Sequence, residues 1–251
     1  EDFEIRFPVG KEEDHTISEM ISASGVWDEI IESAHESAEP GLLFWDTAIK
    51  NTPSDIYSHE GFRSVSTNPC GEIILSPYDS CRLMVVNLLS FVENPFTDDS
   101  YFNFEKFSEI TEKAQRLMDD MVDIEMEQVS KILNKIETDP EPNYVKNIER
   151  NLWESVLEQA KKGRRTGLGV TAVGDSLAAL GIRYGSDKSI ETVEKIYREL
   201  AVSAYRSSCI MAKERGSFPI HDHDIEKDHE FLNKIWSASE DILKMSKRYG
   251  R

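Results

Sequence analysis

The chain has 251 residues and a formal net charge of −18 at neutral pH, from 29 Lys and Arg against 47 Asp and Glu. That excess of negative charge excludes a broad face for a nucleic-acid backbone or an anionic membrane, while small phosphorylated ligands can still be held by a few basic groups and helix N-termini. Hydrophobic residues at 39 % and charged residues at 30 % match a globular protein with a real core, and no apolar run approaches the roughly 18 residues of a membrane span.

In chain order, alternation over Glu4 to Pro8 predicts a short strand. Apolar spacing from Ile17 to Ala38, through Met20, Ile21, Ile30, Ile31 and Ala34, predicts a helix interrupted near Gly25 and ended by Pro40-Gly41. Leu42 to Trp45 reads as a buried strand or a helix start. Breakers at Pro53, Gly61, Pro69, Gly71 and Pro77 make residues 51–80 a long irregular or extended stretch, and its apolar residues and cysteine favour a functional loop. Cys81 to Val92 is rich in β-formers and predicts a strand buried on both faces.

A strong amphipathic helix is predicted from about Phe104 to Glu137, stopped by Pro140 and Pro142, and a second from about Tyr144 to Lys162. Gly163 to Val170 then leads through a short strand into a helix near Thr171. A further helix is expected from Ser189 to Arg215, with Gly216 at its C-cap, followed by polar helix carrying Phe231, Ile235, Trp236 and Ile242. Strands and helices in this order predict an α/β architecture rich in helix.

The three cysteines, Cys70, Cys81 and Cys209, are too few and too scattered for a disulfide framework, so reduced thiols and a cytoplasmic setting are expected. The first residues read as a strand already under way, which suggests a piece of a longer protein. Around Cys70, the residues Asn68, Cys70 and Glu72 alternate, so an extended backbone would project an amide, a thiol and a carboxylate to one side. Pro69 denies a helix there and Gly71 permits close approach of a ligand. Cys81 follows after a Ser-Pro-Tyr-Asp turn that allows the chain to double back.

Other readings of these residues stay open. The trio can be a loop coincidence with Cys70 acting as a small apolar group. A Cys-His nucleophile pair would take its base from His35, His59, His221, His223 or His229, none in a telling context. No Cys-x-x-Cys or paired His supports a metal, so no metal site is predicted. Asp119, Asp120 and Asp123 read as a solvated helix face able in principle to collect a cation, and His221 and His223, interleaved with Asp222 and Asp224, as a polar loop. Met118, Met121 and Met126 read as helix core, and Cys209 as a helix-packing cysteine. Gly163-Arg-Arg-Thr-Gly-Leu-Gly169 lacks P-loop and Rossmann spacing, so a tight entry into a buried strand is preferred over a phosphate cradle.

Asn68-Pro-Cys-Gly-Glu72, with Ser80-Cys81-Arg-Leu and Val86-Asn-Leu88, resembles the active-site segment of the ribonucleotide reductase large subunit, most of all its adenosylcobalamin-dependent class II branch. Ala38-Glu-Pro-Gly41, Ala114-Gln-Arg-Leu-Met-Asp-Asp120, Gly163 to Gly169 and Ala212-Lys-Glu-Arg-Gly-Ser-Phe-Pro219 extend the resemblance over most of the chain. It implies a ten-stranded α/β barrel made of two half-barrels around a central finger loop, here at about residues 62–80. The whole of 1–251 would then be the central part of one catalytic barrel domain, with no independent second domain.

The resemblance further implies roles. Cys70 would be the thiyl radical that removes the ribose 3′ hydrogen, Glu72 the base for the 3′-hydroxyl proton, and Asn68 a hydrogen-bond partner of the sugar hydroxyls. Cys81 would be one of two reducing thiols, and Ser66, Thr67 and Gly71 would line the substrate, a ribonucleoside di- or triphosphate. Adenosylcobalamin and an external thioredoxin-type dithiol reductant are the implied cofactors, and complementing reductase chains and a homo-oligomer the implied partners, with no nucleic acid and no membrane.

In the family the second reducing thiol lies upstream, and the substrate-phosphate loop and C-terminal cysteine pair lie downstream, so this stretch by itself is expected to be incomplete. The Pro69 and Gly71 pair favours the cobalamin branch. The alternatives are a class I large subunit, whose radical comes from a separate metal-containing subunit, and an inactive helical interaction remnant.

Overall fold

The computed structural model describes residues 2–8 and 16–251. They fall into two compact units, Glu1–Trp45 and Asp46–Arg251.

In the first unit, β1 (Asp2–Phe7) pairs antiparallel with β2 (Ile17–Ser22), and α1 (Ala23–Ser37) follows directly. The expected strand near Glu4 is therefore present, but the expected helix from Ile17 begins six residues late. The cause is pairing: Phe7 faces Ile17 and Phe3 faces Ile21, so these four apolar side chains, with Ile5, share one side of the ladder. The Ser22 hydroxyl caps α1 by accepting from the Gly25 amide at 3.4 Å, and the helix runs through Gly25 without a break. It ends at Ala38, whose φ is +61°. Leu42, Leu43 and Phe44 are exposed and irregular, and α2 (Trp45–Asn51) begins at the end of that run, so a helix start is found there without the burial.

The second unit is built on three long helices. α3 (Phe104–Thr138) packs chiefly against α4 (Asn143–Gly163) and α6 (Asp187–Arg215), all three within two residues of the expected bounds. Met118 is fully buried on α3, whereas Met121 is exposed, so the methionine cluster is core only in part. α6 is capped by Ser186, which accepts from the Ser189 amide, and closed by Gly216 at φ +90°.

A short irregular segment and a 3₁₀ turn over Asp55–Glu60 precede a hairpin of β3 (Ser66–Thr67) and β4 (Ile74–Leu75). β5 (Leu83–Asn87) then pairs in parallel with β8 (Gly167–Thr171), while β6 (Val92–Glu93) and β7 (Tyr101–Phe102) form a small antiparallel ladder. Phe91 and Phe102 pack edge-on against Phe107 of α3, with Val86, Leu88, Ile196 and Leu200 completing that core. α5 (Val173–Ala179) follows β8, and α7 (His223–Glu226), α8 (Glu230–Ala238) and α9 (Glu240–Tyr249) finish the chain around a second core of Val202, Cys209, Leu232, Ile235, Trp236 and Ile242.

Two expectations change here. The strand predicted over Cys81 to Val92 is only five residues long, with a 3₁₀ turn at Leu88–Phe91, and it is buried on one face: Val86 is covered while Leu83 and Val85 are 47 % and 63 % exposed. Among the described residues the strands pair only in twos, so helix-rich α/β holds and no closed ten-stranded sheet is formed.

The β5–β8 contact depends on one missing side chain. A Cβ on Gly167 would stand 2.6 Å from the Arg82 carbonyl oxygen and 3.2 Å from Leu83, whereas one on Gly169 would meet nothing nearer than Val85 at 3.8 Å. Gly167→Ala is therefore expected to destabilise the protein by about 1–3 kcal/mol through overpacking, with Gly169→Ala near neutral. Urea-unfolding midpoints of the two variants check this, and equal midpoints would contradict it.

Candidate active site

The tip of the hairpin of β3 and β4 carries Asn68, Cys70, Gly71 and Glu72. The Gly71 amide donates to the Asn68 carbonyl at 3.0 Å, closing a turn over Asn68-Pro69-Cys70-Gly71. Asn68 closes the wider loop twice: its amide donates to the Ile73 carbonyl at 3.2 Å, and its side-chain Oδ1 accepts from the Ile73 amide at 3.0 Å. Pro69 suits the second position of the turn, and Gly71 takes φ +78°, a left-handed backbone that glycine enters without strain. The extended backbone expected for this segment is thus replaced by a turn, and the alternation argument for Asn68, Cys70 and Glu72 does not apply. Cys70 and Glu72 are both exposed at this tip, flanking Gly71.

The turn also changes what the neighbours offer. The Gly71 amide is occupied within the turn, and one acceptor of the Asn68 amide is taken by Ile73. The Thr67 hydroxyl donates to the Asn68 carbonyl at 2.9 Å, and Ser66 is exposed at the start of the hairpin. Thr67 keeps lone pairs free to accept, and the Asn68 side-chain NH₂ is a donor in the same place.

Below the tip, arginines tie the hairpin to the scaffold. Arg165, just before β8, donates from Nη2 to the Ile74 carbonyl at 2.7 Å and pairs through Nη1 with the Asp79 carboxylate. Asp79 in turn accepts from the Ser76 hydroxyl and the Ser80 amide, each at 2.9 Å. Arg82 donates to the Arg165 carbonyl at 2.8 Å and pairs with Glu125 of α3. Cys81, exposed, stands between these two anchored positions. Arg164, held at φ +42° at the end of α4, bridges Asp119 at 2.8 Å and Asp123 at 2.7 Å on α3.

The Gly163 to Gly169 segment is therefore an entry into a strand, as the spacing suggested, and both its arginines are used inside the protein. The same contacts decide the acidic trio: Asp119, Asp120 and Asp123 lie close enough together for a cation, but Arg164 and Arg215 already stand against them. His221 and Asp222 are likewise structural. Asp222 caps α7 by accepting from the Asp224 amide at 2.8 Å, and His221 Nε2 stands 3.5 Å from the Glu226 carboxylate.

The three thiols divide sharply by environment. Cys70 and Cys81 are exposed, whereas Cys209 is fully buried on α6, where burial pushes its thiol up to about 12. A thiol-reactive chromogenic disulfide at neutral pH is expected to modify two of these three cysteines within minutes and Cys209 only after unfolding, because the thiolate is the nucleophile. Mass spectrometry of the labelled peptides checks the assignment, and early label on Cys209 would contradict it.

A cluster that the sequence did not bring to notice lies elsewhere in the second unit. Glu226, fully buried, accepts from Tyr57 Oη at 2.7 Å and from Arg251 Nη2 at 2.6 Å. Its partners Tyr57 and Arg251, with Tyr205 and Phe218, line part of a cavity of about 1040 Å³; none of Asn68, Cys70, Glu72 and Cys81 lines it. No described helix is long and apolar enough to cross a membrane.

Residues 1–248 match a family model described as "Ribonucleotide reductase, barrel domain". A vitamin B12-dependent ribonucleoside-diphosphate reductase of Mycobacterium tuberculosis (strain CDC 1551 / Oshkosh) is 30 % identical over 197 residues, 78 % of this chain and 24 % of its own length. The enzyme of the same description from Thermoplasma acidophilum is 31 % identical over 204 residues, 81 % of this chain and 22 % of its own. The chain thus spans about a quarter of the length of these relatives. Among solved structures, an Actinobacillus ureae class Id ribonucleotide reductase alpha subunit shares the fold with a TM-score of 0.54 at 22 % identity, over 78 % of this chain and 33 % of that one.

Proposed function

Because the chain belongs to the ribonucleotide reductase family through its barrel domain, we propose that it carries the reacting segment of a catalytic chain that reduces ribonucleoside diphosphates to 2′-deoxyribonucleotides. The observation that carries this reading is the hairpin tip, where a tight turn presents a free thiol and a carboxylate two residues apart, with a second free thiol after an anchored return strand. In it, Cys70 as a thiyl radical removes the ribose 3′ hydrogen and Glu72 takes the 3′-hydroxyl proton. The Asn68 NH₂, with its carbonyl oxygen held by Ile73, donates to the sugar hydroxyls. Ser66 and Thr67 line the sugar beside it; Gly71 contributes through its left-handed backbone, since its amide is taken. Cys81 is one of two thiols that deliver two electrons to the 2′ carbon and end as a disulfide while the 2′ oxygen leaves as water; the other lies outside this stretch.

Of the radical sources, adenosylcobalamin is proposed, since the M. tuberculosis and T. acidophilum relatives above carry vitamin B12 dependence in their descriptions. Its chemistry, when bound, is to supply a radical without a second protein subunit. On this chain the group suited to meet it is Cys70, whose exposed thiol at a hairpin tip is open to a large cofactor. The hairpin would be the finger of a ten-stranded barrel completed by other parts of the reductase, in a cytoplasmic enzyme re-reduced by a thioredoxin-type dithiol and acting as a homo-oligomer.

The test is ribonucleoside diphosphate reduction by the full-length reductase with a dithiol, with and without adenosylcobalamin. Turnover only with the cobalamin is the expected result. Turnover that needs a metal-containing partner subunit instead would move the chain to class I, and no turnover under either condition would overturn the enzymatic reading.

A further inference from the structure

We propose that Arg165 and Asp79 form a positioning pair that sets the placement of Cys70 relative to Cys81, and through it the rate of the reaction. The inference rests on the reading of those two thiols as the reacting groups. The hairpin that carries Cys70 has only two ladder positions, Ser66 with Leu75 and Thr67 with Ile74, too few to hold its tip in place by backbone pairing alone. Its return strand is instead gripped from outside: Arg165 Nη2 takes the Ile74 carbonyl, and Nη1 takes Asp79, whose side chain is only 4 % exposed.

The same arginine brackets Cys81. On one side its guanidinium fixes Asp79, which accepts from the amide of Ser80, the residue before the thiol. On the other side its carbonyl accepts from Arg82, the residue after the thiol, and Arg82 is pinned to Glu125 on the long helix α3. Arg165 itself lies two residues before β8, which pairs residue by residue with β5 from Leu83 onward. A single residue therefore ties the strand leaving Cys70 and both neighbours of Cys81 to one rigid frame. Neither Arg165 nor Asp79 need touch the substrate. Their part is to hold the hydrogen-abstracting thiol and the reducing thiol in one register, where a displacement of about 1 Å can lower a rate by about 10²-fold. A planar, two-armed guanidinium is suited to this task, because it reaches a carbonyl and a carboxylate at once, and a lysine ammonium has no such fork.

The test uses Arg165→Ala, Arg165→Lys and Asp79→Asn in the full-length reductase, with two readouts. By hydrogen exchange, the amides of Asn68, Ile73, Ser76 and Ser80 are expected to lose protection in Arg165→Ala while those of α3 and α6 keep theirs, which separates local release from failure to fold. In turnover, Arg165→Ala is expected to lower kcat by about tenfold or more with KM within about twofold, and Arg165→Lys to recover only part of it. Asp79→Asn is expected to do the same, with the double variant no worse than the worse single one, as for two residues acting as a unit. Unchanged exchange in the hairpin, unchanged kcat, full recovery by lysine, or additive losses in the double variant would each overturn the pairing. Should the unsubstituted enzyme reduce no ribonucleotide, the functional reading fails, and the exchange measurement still decides whether Arg165 holds the hairpin.

Discussion

Cys70→Ala in the full-length reductase is expected to abolish ribonucleotide reduction, with a loss of at least about 10⁴-fold in kcat, the scale seen when an essential reacting group is removed. The size of the effect follows from chemistry, since no side chain near the tip can take over hydrogen-atom transfer. Asn68, Pro69, Gly71 and Glu72 hold no sulfur, and Cys81 lies beyond the anchored return strand. Folding should be unaffected, because Cys70 is exposed and the turn is closed by Asn68 and Gly71. Glu72→Gln is expected to be milder, lowering kcat by about 10²- to 10⁴-fold, because it removes a proton acceptor and leaves the thiol in place. Product formation by chromatography, with circular dichroism to confirm an unchanged fold, checks both. Residual turnover above about 1 % in Cys70→Ala, roughly 2.7 kcal/mol of barrier, would remove Cys70 from the reacting position.

What the amino-acid sequence disclosed about this molecule depended on the range of the interaction. α3, α4 and α6 were legible because apolar residues at spacings of three and four, Pro140 and Pro142, and Gly216 act locally. β2 was not, because Ile17, Met20 and Ile21 also suit a helix, and the deciding contact is with Phe3 and Phe7 on another strand. The motif from Asn68 to Glu72 is legible in its residues, but its backbone is not. Pro69 and Gly71 indicated a turn, and the alternation of side chains presupposed an extended strand. The arginine pair of the Gly163 to Gly169 segment was visible as a pair, whereas its partners lie far along the chain: Asp79 is 86 residues from Arg165, and Asp119 is 45 from Arg164. Long-range ion pairs of this kind leave no local period to read.

The buried carboxylate of Glu226 makes a second large effect, on stability and its pH dependence. Burial alone would push its pKa up, but the Arg251 charge, the nearby His221 imidazole and hydrogen bonds from Arg251 and Tyr57 outweigh this and hold it down at about 2. A carboxyl depressed in the folded state stabilises the protein at pH values above its unfolded value, near 4.3, and loses that contribution as the pH falls toward 2. The contribution is about 3 kcal/mol at neutral pH, since the folded carboxyl sits at about 2 against an unfolded value near 4.3. Glu226→Gln should destabilise more than this, by about 3–5 kcal/mol, because it leaves Arg251 largely buried without its counter-charge. Tyr57 would lose an ionic acceptor as well, while its own phenol, raised by burial and by Glu226, stays protonated throughout. In urea titrations from pH 7 to pH 2.5, the stability difference between the natural protein and Glu226→Gln is therefore expected to be constant above about pH 5 and to shrink steadily below it. A difference that holds its full size down to pH 2.5 would mean that Glu226 is not the depressed carboxyl of this core. Exposed pairs such as Lys113 with Glu109 should leave no such signature, since solvent screens them.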